Sequence, residues 1–226
     1  MNLLYRSLSL YHILLGLDGH IKLVDFGVSK IGFHPESKTK SFCGASEFMA
    51  PEVSGTTNDV TLLSDEKPLL ITVQKMLLDR PYNSSVDWWQ LGIITYQMLT
   101  QQSPFGGDDE DEIYDSILAD EPTFPAYMTM DTIDFIQKLL SKEPERRLGS
   151  GTNGAPPPDQ VMAHSFFAEI NWDDLRHKRV PGPFVPTAAA NPNRTDTSNF
   201  VDSQFPLLDT PSIINTSEGM VFCFFF

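Results

Sequence analysis

The sequence predicts a mainly α-helical domain with one short β-hairpin near its N-terminus and an extended tail at its end. Three observations carry this. Residues 86–99 are apolar on almost every side, with Trp88, Trp89, Leu91, Ile93, Ile94, Tyr96 and Met98, the pattern of a helix buried on all faces at the centre of a helical domain. Residues 131–140 set Ile133, Phe135, Ile136, Leu139 and Leu140 at helical spacing, with Asp131 as the expected N-cap. Residues 13–27 read as a hairpin: Ile13-Leu14-Leu15, a turn at Asp18-Gly19, then Ile21 and Leu23 leading into Asp25-Phe26-Gly27.

The other elements follow in chain order. Polar, mixed sequence runs from the hairpin to about residue 47. Asp87 opens the central helix and suits either a cap or an anchor for a neighbouring loop. The acidic run Asp108-Asp109-Glu110-Asp111-Glu112 precedes a helical pattern of Ile113, Tyr114, Ile117 and Leu118. It reads either as carboxylates favoured by the helix dipole or as a patch that attracts basic peptides. Glycines 149, 151 and 154 break the chain, and residues 161–167 predict one more short helix. Beyond about Trp172, Pro181, Pro183, Pro186, Pro192, Pro206 and Pro211 replace any helical period with an extended tail.

Composition narrows the function. With 226 residues and 41% hydrophobic content the chain can bury one sizeable core. A formal charge of -14 argues against nucleic acid or anionic lipid as a partner and favours basic peptides. Cys43 and Cys223 make no disulfide framework, and no leader-like segment is visible, so a reducing, cytoplasmic or nuclear setting is expected. No apolar run approaches the roughly 20 residues of a membrane span, so membrane insertion is not expected.

Four motifs carry the chemistry: Asp25-Phe26-Gly27, Ala50-Pro51-Glu52, Val86-Asp87-Trp88-Trp89 with Gly92, and Glu145-Arg146-Arg147-Leu148-Gly149. In this order they resemble the large, C-terminal lobe of the protein kinase fold. Ser41-Phe42-Cys43-Gly44, the acidic run, Ile170-Asn171-Trp172-Asp173-Asp174 and residues 195–200 extend the likeness to fungal-type protein kinase C, of the AGC group of Ser/Thr kinases. The resemblance implies a partial kinase domain at 1–176 and an AGC-type tail at 177–226, with the small lobe absent from the chain. Within the domain, residues 53–75 form an insert, read either as a surface insertion or as a retained short intron. ATP and Mg²⁺ are the cofactors that the resemblance implies, and Ser/Thr in basic proteins or peptides the substrates.

Mapped onto this sequence, the resemblance makes Asp25 the carboxylate that chelates Mg²⁺ on the ATP phosphates, against the plainer reading of a turn aspartate before glycine. Glu52 and Arg147 match a buried ion pair, and Asp87 the group that holds the catalytic loop's backbone. Ser41 stands at an activation-loop phosphosite with Arg6 and Lys30 as its basic partners, and Thr210 at a tail phosphosite; each also reads as a solvated loop hydroxyl. In the final stretch, 221–226, a phenylalanine replaces the phosphorylatable residue of the hydrophobic tail motif.

The catalytic loop departs from the family pattern. The matching stretch is Tyr5-Arg6-Ser7-Leu8-Ser9-Leu10-Tyr11-His12. Ser7 stands where the resemblance expects the catalytic aspartate, and a neutral hydroxyl is a poor base. Ser9 stands in place of the lysine that neutralises charge on the transferring phosphoryl group. His12 replaces the asparagine that ligates a second metal, and imidazole suits Mg²⁺ poorly. Ala45 and Ser46 replace the Thr-Pro whose threonine bonds that aspartate and lysine. These substitutions bear on rate; with the small lobe absent from the chain, the grip on ATP and its Mg²⁺ is expected to be weak as well. Two function classes follow: a protein kinase C-like enzyme family member reduced to an inactive fragment, or a pseudokinase that binds or decoys kinase regulators. A mis-spliced gene product is the third account.

Overall fold

The computed structural model describes residues 2–34, 36–41, 43–54, 81–151 and 156–185. Most of the insert at 53–75, Thr210, Cys223 and the tail beyond residue 185 lie outside the described residues. The chain divides into two compact units, the first of residues 1–12 and 25–168, the second of residues 13–24 and 169–226.

The described strands are short: β1 (Leu3–Leu4), β2 (Ile13–Leu15), β3 (Ile21–Leu23) and β4 (Lys30–Ile31). In the first unit β1 pairs antiparallel with β4, Leu3 opposite Ile31 and Leu4 opposite Lys30. In the second, β2 pairs antiparallel with β3, Ile13 opposite Leu23, which is the hairpin that the alternation predicts. The hairpin's turn is held within its own unit by Lys178, whose ammonium lies 2.5 Å from Asp18 and keeps that exposed carboxyl down at about 2.

The described helices are α1 (Pro51–Ser54), α2 (Ser85–Thr100), α3 (Glu110–Ala119), α4 (Met130–Leu139), α5 (Pro157–Met162) and α6 (Trp172–Arg176). Helix α2 is the core of the first unit. Trp89, Leu91, Ile93 and Ile94 on it are all 2% exposed or less. Its Trp89 ring stacks on Phe105 with centroids 5.5 Å apart. Helix α4 crosses α2 closely because Gly92 has no side chain: a Cβ there would sit 2.7 Å from Leu140 Cδ2 and 2.9 Å from Leu139 Cβ. Phe135, Ile136 and Leu139, the apolar stripe of α4, are buried, with the Phe135 ring against Phe166 and Phe167.

Local chemistry sets the helix ends. At α3 the acidic run acts as a cap: Asp109 Oδ1 accepts from the Glu112 amide at 2.9 Å, and Glu112 Oε2 accepts from the Asp108 amide at 2.8 Å. This reciprocal pair satisfies two amides that the helix leaves free. Two expectations need correction. The N-cap of α4 is Thr129, whose hydroxyl accepts from the Thr132 amide at 3.2 Å, not Asp131, which instead accepts the Ser165 hydroxyl at 2.7 Å. Residues 161–167 are not one helix: α5 starts early, at Pro157, and ends at Met162, and a separate 3-10 turn, Ser165–Phe167, is capped by His164. The proline at the first position is preorganised for a helix start, which explains the earlier origin.

Candidate functional site

The catalytic-loop stretch is fixed from beneath by α2. Asp87, in its first turn, accepts the backbone N–H of Tyr5 at 2.8 Å and of Arg6 at 2.7 Å. Gln90, one turn on, donates to the Arg6 carbonyl at 3.1 Å and accepts the Leu8 amide at 3.0 Å. Four bonds from two side chains thus set the path of residues 5–8. Burial pushes the Asp87 carboxyl up to about 6, although the two amides and the Arg6 charge pull the other way. Arg6 itself has a positive φ of 68° and is 7% exposed.

On this platform Ser7, Ser9 and His12 face one another. His12 Nδ1 lies 2.6 Å from the Ser7 carbonyl oxygen, 3.0 Å from Ser7 Oγ and 3.2 Å from Ser9 Oγ. The ring's other nitrogen, Nε2, is 3.4 Å from Asp25 Oδ2. Asp25 has a φ of 57°, is exposed, and accepts the Gly27 amide at 3.2 Å on Oδ1. So the loop positions that sequence reading treats as losses sit in one cluster with the remaining acid, Asp25. Among the described residues, no group of three or more His, Cys, Asp or Glu side chains converges as a metal cage. The oxygen-rich set that Mg²⁺ requires is not what these two residues offer, because His12 presents nitrogen toward Asp25 where the resemblance expects an amide oxygen.

Around the activation segment, Lys30 Nζ donates to Thr39 Oγ1 and, at 3.3 Å, to Ser41 Oγ. Arg6 donates through Nε to the Val28 carbonyl at 2.7 Å and through a terminal nitrogen to the Tyr82 hydroxyl at 3.1 Å. The Tyr82 hydroxyl donates in turn to the Ser41 carbonyl at 2.5 Å. Arg6 is thereby linked to the Ser41 backbone through Tyr82. Gly44 lies against the same loop, a Cβ there being 3.5 Å from the Arg6 carbonyl.

Glu52 and Arg147 form a two-pronged ion pair, at 2.7 and 2.9 Å. Arg147 also donates to the Ser85 and Ser141 carbonyls at 3.0 Å each and lies over the Trp89 ring. Four of the five guanidinium N–H groups have these acceptors, as a residue 1% exposed requires. Sequence reading missed Gln90 and Tyr82. Gln90 had a signal, a lone amide in an otherwise apolar buried helix. Tyr82 had none, since it lies in polar sequence ahead of that helix.

These elements are the α-helical lobe of a protein kinase domain, and the family model for the protein kinase domain matches residues 1–167. The chain belongs to the protein kinase family. It is 50% identical over 202 residues to protein kinase C of Aspergillus fumigatus, an alignment spanning 89% of this chain and 16% of that protein. It is 42% identical over 220 residues to protein kinase C-like 2 of Schizosaccharomyces pombe (96% of this chain, 19% of that one). Against serine/threonine-protein kinase N2 of Danio rerio the identity is 38% over 212 residues, with 92% and 19% covered. Within the family, then, it is of the protein kinase C type, and it spans less than a fifth of the length of these relatives. No helix among the described residues is long and apolar enough to cross a membrane.

Proposed function

We propose that this chain is a catalytically silent protein kinase C-type domain, with kinase architecture over residues 1–176 and the family's tail over 177–226. The observation that supports this reading is the state of the loop at Ser7. Where phosphoryl transfer needs a carboxylate facing the substrate hydroxyl, there is a serine hydroxyl turned to His12 Nδ1 at 3.0 Å. Ser9 brings no charge to the transferring group, and it too bonds His12, at 3.2 Å. General-base and charge-neutralising roles are both unfilled by these residues. The nitrogen of His12 suits Mg²⁺ poorly, which leaves Asp25 as the one oxygen ligand that this pair offers the metal. The activity test is a graft. Placing serine, serine, histidine and alanine at the positions matching Ser7, Ser9, His12 and Ala45 of an active protein kinase C-type relative should cut its kcat by more than about 10²-fold while the domain stays folded. Retained turnover would defeat the reading.

A second reading is favoured by what is kept. The Glu52–Arg147 pair and the Asp87 anchor hold the lobe's form without serving chemistry, which suits a module that binds kinase partners or regulators. Its acidic balance favours basic peptides as ligands. Ser41, exposed and beside Lys30, is the phosphoacceptor this reading assigns within the described residues, with Thr210 as its counterpart in the tail.

A further inference from the structure

We propose that the β2–β3 hairpin of the second unit is a docking surface for the chain's own segment Val221-Phe222-Cys223-Phe224-Phe225-Phe226. The register of the hairpin sets the surface. Ile13 stands opposite Leu23 and Leu15 opposite Ile21, so these four side chains share one face, while Leu14 and Lys22 share the other. No strand residue of the hairpin is buried. On the hairpin and beside its turn, Leu14, Leu15, Leu17, Phe184 and Val185 are between 41% and 64% exposed. A two-stranded ribbon with an uncovered aliphatic face is marginal alone and gains stability from a further layer.

Charge, pattern and tether select the occupant. A formal charge of -14 opposes a second copy of the chain and an anionic lipid surface alike. Segment 221–226 has no charged side chain, proline or glycine, and alternation along an extended strand groups Phe222, Phe224 and Phe226 on one side. Three rings at strand spacing match a face built of two short aliphatic rows. The tail also leaves from the hairpin itself. Lys178 bonds Asp18 in the turn at 2.5 Å, and Gly182 packs so closely there that a Cβ on it would lie 2.6 Å from the Gly19 Cα. Residues 186–220 then separate Val185 from the segment. A random coil of about 35 residues spans about 30 Å, several times the roughly 10 Å length of a three-residue strand. The tether therefore holds the segment at an effective concentration on the order of 1 mM at the face. Docked, segment and face cover each other, so a ligand for either must displace the other.

The docking is independent of the silent-kinase reading, which concerns the loop at Ser7. Its test uses the whole chain with Cys43→Ser, so that a nitroxide can be placed on Cys223 alone, the side chain that alternation sets opposite Phe222, Phe224 and Phe226. The label should broaden the methyl NMR signals of Ile13, Leu15, Ile21 and Leu23. Phe222→Ser, Phe224→Ser and Phe226→Ser together should remove the broadening while the remaining methyl signals keep their shifts. Phe205→Ser, Leu207→Ser and Leu208→Ser together should leave it in place. In the unlabelled chain the amides of residues 222–226 should exchange at least about tenfold more slowly than in a free peptide of residues 215–226. Exchange at the free-peptide rate would overturn the docking. Protection without broadening at the hairpin, or broadening that survives loss of the three rings, would assign the contact elsewhere and overturn it too. So would broadening that arises only between copies, when spin-labelled chain is mixed with isotope-labelled chain.

Discussion

Asp87 carries the loop with two charge-assisted bonds, at 2.8 and 2.7 Å, from inside a site that penalises its charge. Its folded value of about 6 lies above the ordinary 3.8, so the folded state holds the proton more tightly than the unfolded one. The stability that this linkage contributes is full below about pH 4 and is lost as pH rises through 6. Wild type compared with Asp87→Asn by urea unfolding should therefore show its relative stability falling, by on the order of 1–3 kcal/mol, between pH 4 and pH 6, then levelling. A difference that is flat or rises across that window contradicts the assignment. His12 teaches a separate lesson at this scale. The sequence links positions 7 and 9 only through the family residues they replace, and it does not join His12 to them. Loop spacing fixes no geometry, so their mutual bonding was not legible there.

Between elements, two contacts decide the lobe. The Glu52–Arg147 pair joins α1 to the segment after α4, and the arginine is fully desolvated. Arg147→Met should cost about 3–5 kcal/mol, because it strands a largely buried carboxylate, while Glu52→Gln with Arg147→Met should cost less than the sum of the two single changes. Strict additivity in chemical denaturation would show that the pair is not coupled. At the α2–α4 crossing, Gly92→Ala must push Leu139 and Leu140 aside and should cost about 1–3 kcal/mol, read as a lowered denaturation midpoint. The elements themselves were legible where period was strong. Helix α2 declared itself by apolarity on all faces, and the hairpin by alternation around Asp18-Gly19. The start of α4 was not, since Thr129 and Asp131 are both good caps and the choice depends on Ser165, which lies 34 residues away from Asp131 and claims it. The split of residues 161–167 likewise turns on Pro157 and on the His164 cap.

For the whole molecule, the pattern is a kept frame around changed chemistry. The frame consists of buried α2, its glycine crossing, the Asp87 anchor and the Glu52–Arg147 pair; the motifs pointed to all of these but the crossing, which only the packing of Gly92 against Leu139 and Leu140 reveals. At the site the change is one of side chains, with nitrogen and hydroxyl groups at positions where the resemblance expects carboxylate, ammonium and amide. Loss of several groups that act as a unit is not additive, so Ser7→Asp alone should restore no turnover. The most direct measurement is transfer of label from radiolabelled ATP to a basic serine peptide by this chain, run with Mg²⁺ and again with Mn²⁺. The account predicts labelling no greater than in the enzyme-free control under both metals. ATP-dependent labelling that survives repurification and disappears in Asp25→Asn would contradict it.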